Sequence, residues 1–134
     1  MYKNPLPVVD VIILHENSIA LVKRKKQPFK GMWALPGGFI EYGEEPYRAA
    51  IREAKEETGL NITLKDKKNV FAYGNPKRDP RGHLISLVFI SRAKNPAGIK
   101  GMDDATDARF FPLEKLPAKL AADHRKILKD ILGW

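Results

Sequence analysis

The sequence predicts an α/β fold, a layered sandwich built on a mixed β-sheet. Three observations carry that expectation. Short apolar runs at 8–14, 19–24 and 84–92 read as strands, and 46–58 and about 118–132 carry helical spacing. Strands and helices are mixed along the chain without regular alternation. The length of 134 residues, 43% of them apolar and 30% charged, suits a single domain over 1–134 with one sizeable core.

In chain order, VVDVIIL and IALVKR are expected to be strands joined by a short polar turn at 15–18. Residues 27–31 read as a loop, followed by an irregular extended stretch, WALPGGFIE. The helix at 46–58 opens on Pro46, where a missing N–H is harmless, and stops at Gly59. Residues 62–73 and 84–92 read as strands around an exposed turn, NPKRDPRGH. A Gly- and Asp-rich loop at 94–108 and a short strand at 109–111 follow. The last element is an amphipathic helix carrying Leu120, Ile127, Leu128 and Ile131.

Composition excludes some chemistry. The chain has no cysteine, which rules out disulfides, thiolate metal sites and a cysteine nucleophile, and fits a cytoplasmic setting. The N-terminal apolar run is short, broken by Asp10 and lacks the pattern of an export signal, and no stretch is long enough for a membrane-spanning helix. The net charge of +8 favours a polyanionic partner but does not choose among nucleotide, RNA and membrane surface.

Against that positive balance, Glu53, Glu56 and Glu57 share one sector of the 46–58 helix at about 100° per residue. Ala50, Ala54, Tyr47 and Ile51 fill the next, and Arg48, Arg52 and Lys55 a third, with the alanines suited to packing on a sheet. Each like-charge pair at i+3 or i+4 costs a helix roughly 0.2–0.5 kcal/mol. A hard divalent cation would relieve that repulsion, since Mg²⁺ takes oxygen ligands and needs only one or two carboxylates beside substrate phosphate. An acidic solvated face is the alternative.

The spacing also extends further: Gly38, five residues, Glu44, seven residues, then Arg52-Glu53-Ala54-Lys55-Glu56-Glu57-Thr58-Gly59-Leu60. This resembles the 23-residue signature of the Nudix hydrolases, which cleave a nucleoside diphosphate linked to another moiety, and WALPGGF upstream extends the likeness. The resemblance implies an α/β/α sandwich with a loop–helix–loop catalytic box. It further implies a Mg²⁺ site, with Mn²⁺ possible, made by Glu53, Glu56, Glu57 and the Gly38 carbonyl. Arg52 and Glu44 are similar to the pair that braces the loop. Glu45 stands where a Ser or Thr cap is common, and its carboxylate can still favour the helix N-terminus.

Metal-assisted attack of water on pyrophosphate needs a proton acceptor. Glu56 is one candidate, and Asp103, Asp104 and Asp107 are rivals. Pro76, separated from Leu60 by fifteen residues, resembles the marker of the ADP-ribose pyrophosphatase subgroup, and DPRGH, FFPLEKLP and the DH at 123–124 add to it. The expected reaction is ADP-ribose to AMP and ribose 5-phosphate. Arg24, Arg78 and Arg81 are candidates for substrate phosphate or the pocket rim, and Phe29 or Tyr73 for stacking on adenine. Trp33 reads as a core anchor, and His83 and His124 as structural. Alternatives are hydrolysis of diadenosine polyphosphates, NADH or nucleoside triphosphates, oxidised or not, or a non-catalytic nucleotide- or RNA-binding module. The expected partner is a small nucleoside diphosphate. No membrane or nucleic-acid partner is expected, and homodimerisation would suit the resemblance.

Overall fold

The computed structural model describes residues 3–102 and 105–133. In chain order they form β1 (Leu6–His15), β2 (Ser18–Arg24), β3 (Trp33–Ala34), β4 (Gly37–Phe39), α1 (Pro46–Thr58), β5 (Ile62–Leu64), β6 (Phe71–Tyr73), β7 (Leu84–Ala93), β8 (Ala105–Pro112) and α2 (His124–Leu132). The sheet runs β3–β2–β1–β7–β5, with β4 also on β1, β6 on β7 and β8 on β2. β1 and β7 pair in parallel from Leu6↔Leu84 to Leu14↔Arg92, and the other pairs of named strands are antiparallel. The expected mixed sheet is present.

β1 is buried on both faces, which is why its sequence is almost continuously apolar. Val9, Val11 and Ile13 point to one side, packing with Phe89 and with Ala49, Ala50 and Ala54 of α1. Ile12 points to the other, into a cluster with Ile127 and Leu128 of α2. The period of two thus divides the core between two helices, giving the α/β sandwich. α1 ends at Gly59, whose φ of 74° is easy for glycine and lets its N–H reach the Lys55 carbonyl. Among the described residues no helix is long and apolar enough to cross a membrane.

Several expected boundaries move. The last helix begins at His124, not near 118, because the preceding segment is tied to β3. The Trp33 N–H donates to the Lys119 carbonyl at 3.2 Å, and the Ala121 N–H donates to the Trp33 carbonyl at 2.8 Å. The strand expected at 62–73 is two short strands interrupted by a turn in the polar KDKKN stretch. β8 starts at Ala105, inside the expected loop, and pairs with β2 as far as Arg24↔Ala105. On α1, Ala49 is buried and Ile51 is 38% exposed, so the apolar stripe is rotated from the expected one.

Candidate active site

The middle of β4 meets α1 where glycine is required. A Cβ on Gly38 would lie 2.5–2.7 Å from the carboxylate atoms of Glu53, and one on Gly37 would lie 2.1 Å from the Val9 carbonyl. The sheet can therefore bring its backbone directly against the acidic face of the helix. The Glu57 carboxylate accepts the Gly37 N–H at 3.4 Å. Glu45 caps α1 through its backbone carbonyl, with Arg48 and Ala49 N–H groups at 3.0 and 3.1 Å. Its carboxylate makes no capping hydrogen bond, so the interaction expected of it does not take that form.

Arg52 does not project away from the glutamates as helical sectors alone suggest. Its Nε and Nη2 donate to the two oxygens of Glu44 at 2.8 and 2.9 Å, and Nη2 also reaches the Phe39 carbonyl at 3.0 Å. Nη1 donates to Glu53 at 2.7 Å and to Glu56 at 3.2 Å. Such a forked pair is a strong, geometrically specific contact. The guanidinium, with the Glu41 N–H, holds the Glu44 carboxyl down at about 2.

Glu57 has the opposite environment. Burial, then the charges of Glu53 and Asp10, push its carboxyl up to about 8, against only partial help from the Gly37 N–H and Arg24. Glu53 is also raised, chiefly by burial. These hard oxygen donors, crowded by one another and by burial, fit a divalent cation. Among the described residues no three acidic or histidine side chains already converge as a cage. The Arg52 Nη1 bridges Glu53 and Glu56.

The glutamates open on a cavity of about 520 Å³, whose lining also includes Arg24, Phe29, Gly38, Arg78 and Arg81. Four of the expected substrate contacts are thus brought together with the expected metal ligands. Their availability differs. The Arg24 Nε donates to the Pro28 carbonyl at 2.8 Å, and Phe29 is held on the cavity wall at a φ of 67°, rare for an aromatic residue. Arg78 is not a rim charge on an exposed turn. It is buried, with Nε and Nη2 donating to Asp123 at 3.0 and 2.8 Å and Nη2 lying 3.7 Å from Asp10. Arg81 is forked onto the buried Asp79 at 3.0 and 2.8 Å.

Other candidates lie elsewhere. Tyr73 does not line the cavity, and its hydroxyl donates to Asp130 at 3.2 Å. Trp33 packs edge-on to Phe111 with ring centroids 4.7 Å apart. Asp107, on β8, is engaged by Arg109, and Asp103 and Asp104 lie outside the described residues. Pro76 sits in the turn where the Arg78 N–H reaches the Asn75 carbonyl at 3.0 Å. His83 contacts the Gly74 carbonyl at 2.8 Å, as a structural histidine would.

Sequence reasoning missed Asp10 and Phe39. Asp10 is a charged residue inside an otherwise apolar strand, which was its signal. It is buried, takes a hydrogen bond from Ser86 at 2.5 Å, and faces His124 at 3.5 Å. Phe39 is 47% exposed on the cavity lining, with the Arg81 guanidinium 5.9 Å from its ring centre. An exposed phenylalanine directly after a glycine pair was its signal.

Residues 4–131 match the family described as the NUDIX domain. The chain is 52% identical, over all 134 residues, to an ADP-ribose pyrophosphatase of Methanocaldococcus jannaschii, spanning 77% of that protein. Its fold matches a bifunctional NMN adenylyltransferase/ADP ribose pyrophosphatase from Francisella tularensis complexed with AMP and a Mn ion. That match has a TM-score of 0.83 and 29% identity, and covers 98% of this chain but 42% of the other. The NUDIX domain of Shewanella oneidensis NrtR, complexed with ADP ribose, matches with a TM-score of 0.82 and 26% identity over 98% of this chain and 89% of that one.

Proposed function

The chain belongs to the Nudix family, and on that premise we propose that it hydrolyses the pyrophosphate of ADP-ribose to AMP and ribose 5-phosphate. The observation that carries this reading is one cavity with carboxylates of α1 on one wall and Arg24, Phe29 and Phe39 on others. It is supported by the 52% identical ADP-ribose pyrophosphatase.

Glu53, Glu56, Glu57 and the Gly38 carbonyl would hold Mg²⁺, with Mn²⁺ an alternative. A divalent cation there supplies charge neutralisation at the phosphates and lowers the pKa of water beside it. Arg52, clamped by Glu44, keeps Glu53 and Glu56 in place. Arg24 binds a phosphate oxygen, and Phe29 offers an apolar face to the nucleoside. Water adds to one phosphorus, the bridging P–O bond breaks, and Glu56 accepts the proton. Glu56 is suited to that task because its side chain, 44% exposed, is freer than that of Glu53 at 12%. Residues 1–134 act as one domain in the cytoplasm, and a homodimer is compatible with this reading.

The test is a product analysis with ADP-ribose, NADH, diadenosine tetraphosphate and a nucleoside triphosphate, each with Mg²⁺ and with chelator. Mg²⁺-dependent release of AMP and ribose 5-phosphate above the other reactions is expected. Preference for another compound would overturn the substrate, and no turnover of any would overturn the enzyme reading.

A further inference from the structure

The mechanism leaves unused a largely buried cluster of charged and titratable groups, three of which line the same cavity. Asp10 comes from the centre of β1, Arg78 from the 75–83 loop, and Asp123 and His124 from the start of α2. Burying such charges is costly unless each is paired, so their contacts are informative. Arg78 clamps Asp123 and lies near Asp10, while Ser86 and His124 face the two oxygens of Asp10.

His124 makes one ring hydrogen bond, to the backbone, and turns its other nitrogen toward Asp10. Nδ1 accepts the Leu35 N–H at 3.0 Å, which leaves Nε2 to carry the proton and face Asp10 Oδ1 at 3.5 Å. It also lines the cavity. What it holds is the backbone that leads into Gly37 and Gly38. Those two glycines pair with Asp10 and Val9 and touch Glu57 and Glu53.

We propose that His124, oriented by Asp10, is a positioning residue that fixes the Leu35–Gly38 backbone and thereby the cation site on α1. The proposal rests on the divalent-cation reading above. The path is short and continuous: imidazole to Leu35 amide, one turn of backbone through Pro36, then two glycines packed against two carboxylates. The Pro36 carbonyl accepts the Val11 N–H at 2.8 Å, so the His124–Leu35 bond and this one together hold the segment that enters the glycines. Partners of metal ligands commonly change metal affinity by about 10–100-fold when removed.

Three substitutions separate positioning from packing. Asparagine at 124 can keep an acceptor near the Nδ1 position, glutamine can keep a donor near the Nε2 position, and leucine keeps neither. Mn²⁺ binding to the substrate-free protein would be followed by electron paramagnetic resonance of the free ion, and exchange of the Leu35 and Gly37 amides by NMR. His124→Leu and His124→Gln are expected to weaken Mn²⁺ binding about tenfold or more and to speed exchange of both amides. His124→Asn should stay within about threefold of the parent on both readings. Equal Mn²⁺ affinity in all folded variants would overturn the positioning role, as would unchanged amide protection in His124→Leu. Absence of Mn²⁺ binding by the parent protein would instead remove the cation reading on which the proposal stands.

Discussion

Arg52 grips both oxygens of Glu44 while its remaining nitrogen, Nη1, holds Glu53 and Glu56. One guanidinium thus links the loop before α1 to two of the three glutamates on its face. Lysine would keep the charge but not the fork. Arg52→Lys is expected to remain folded yet lose at least tenfold in kcat/KM, with a larger Mg²⁺ requirement. Steady-state kinetics across a Mg²⁺ titration would check it, and parent-like values would contradict the bracing role.

The same pair sets an acid response. The Glu44 carboxyl is depressed to about 2 in the folded protein, so its stabilising contribution is present above the ordinary carboxylate range and lost as pH falls toward 2. Glu44→Gln should lower the thermal midpoint at neutral pH. It should also flatten the decline between pH 4.5, the ordinary value, and about pH 2. Parallel declines in parent and variant would refute this.

Much of this site was readable in the sequence, and the limits have physical causes. The spacing of Glu53, Glu56 and Glu57 places them on one helix face whatever the rest of the chain does, and Gly59 ends that helix wherever it packs. The side on which Arg52 ends up was not readable from helical sectors, because a long flexible side chain can swing to Glu44 and Glu53. The boundary of α2 failed because Lys119 and Ala121 use their backbone groups on Trp33 instead of on a helical turn. The Asp10–His124 contact joins residues 114 positions apart through the fold, and no local pattern encodes such a meeting. Asp10 within VVDVIIL still announced a buried charge in need of partners.

Gly37 and Gly38 should respond differently to alanine. At Gly38 the new methyl meets the movable end of Glu53, so the protein should fold but lose cation affinity and activity. At Gly37 it meets the Val9 carbonyl, and relief requires backbone movement costing about 1–3 kcal/mol or more. Thermal melts in chelator would separate them: Gly38→Ala close to the parent, Gly37→Ala several degrees lower.

The two arginines of the 75–83 loop should also differ. Arg78→Gln strands Asp10 and Asp123 without their buried counter-charge, a change that typically costs about 3–5 kcal/mol. Arg81 is 40% exposed beside Asp79, and Arg81→Gln should cost roughly 1 kcal/mol. Urea denaturation of both variants gives the comparison directly. Equal losses would mean that Arg78 is not the clasp its contacts indicate.

Glu57 provides the most direct measurement of the central claim, that the acidic face of α1 exists to hold a divalent cation for pyrophosphate hydrolysis. Parent and Glu57→Gln proteins would be assayed for AMP release from ADP-ribose with Mg²⁺ and with chelator, alongside their thermal midpoints. In chelator the variant should be as stable as the parent or more so, because a crowded buried carboxyl has been neutralised. With Mg²⁺ the parent should gain stability, about 2.7 kcal/mol at ~100-fold excess over the dissociation constant, and should release AMP. The variant should gain little and release at least ~100-fold less, within the range for losing a catalytic group. A Glu57→Gln protein that kept full Mg²⁺-dependent AMP release would contradict the account.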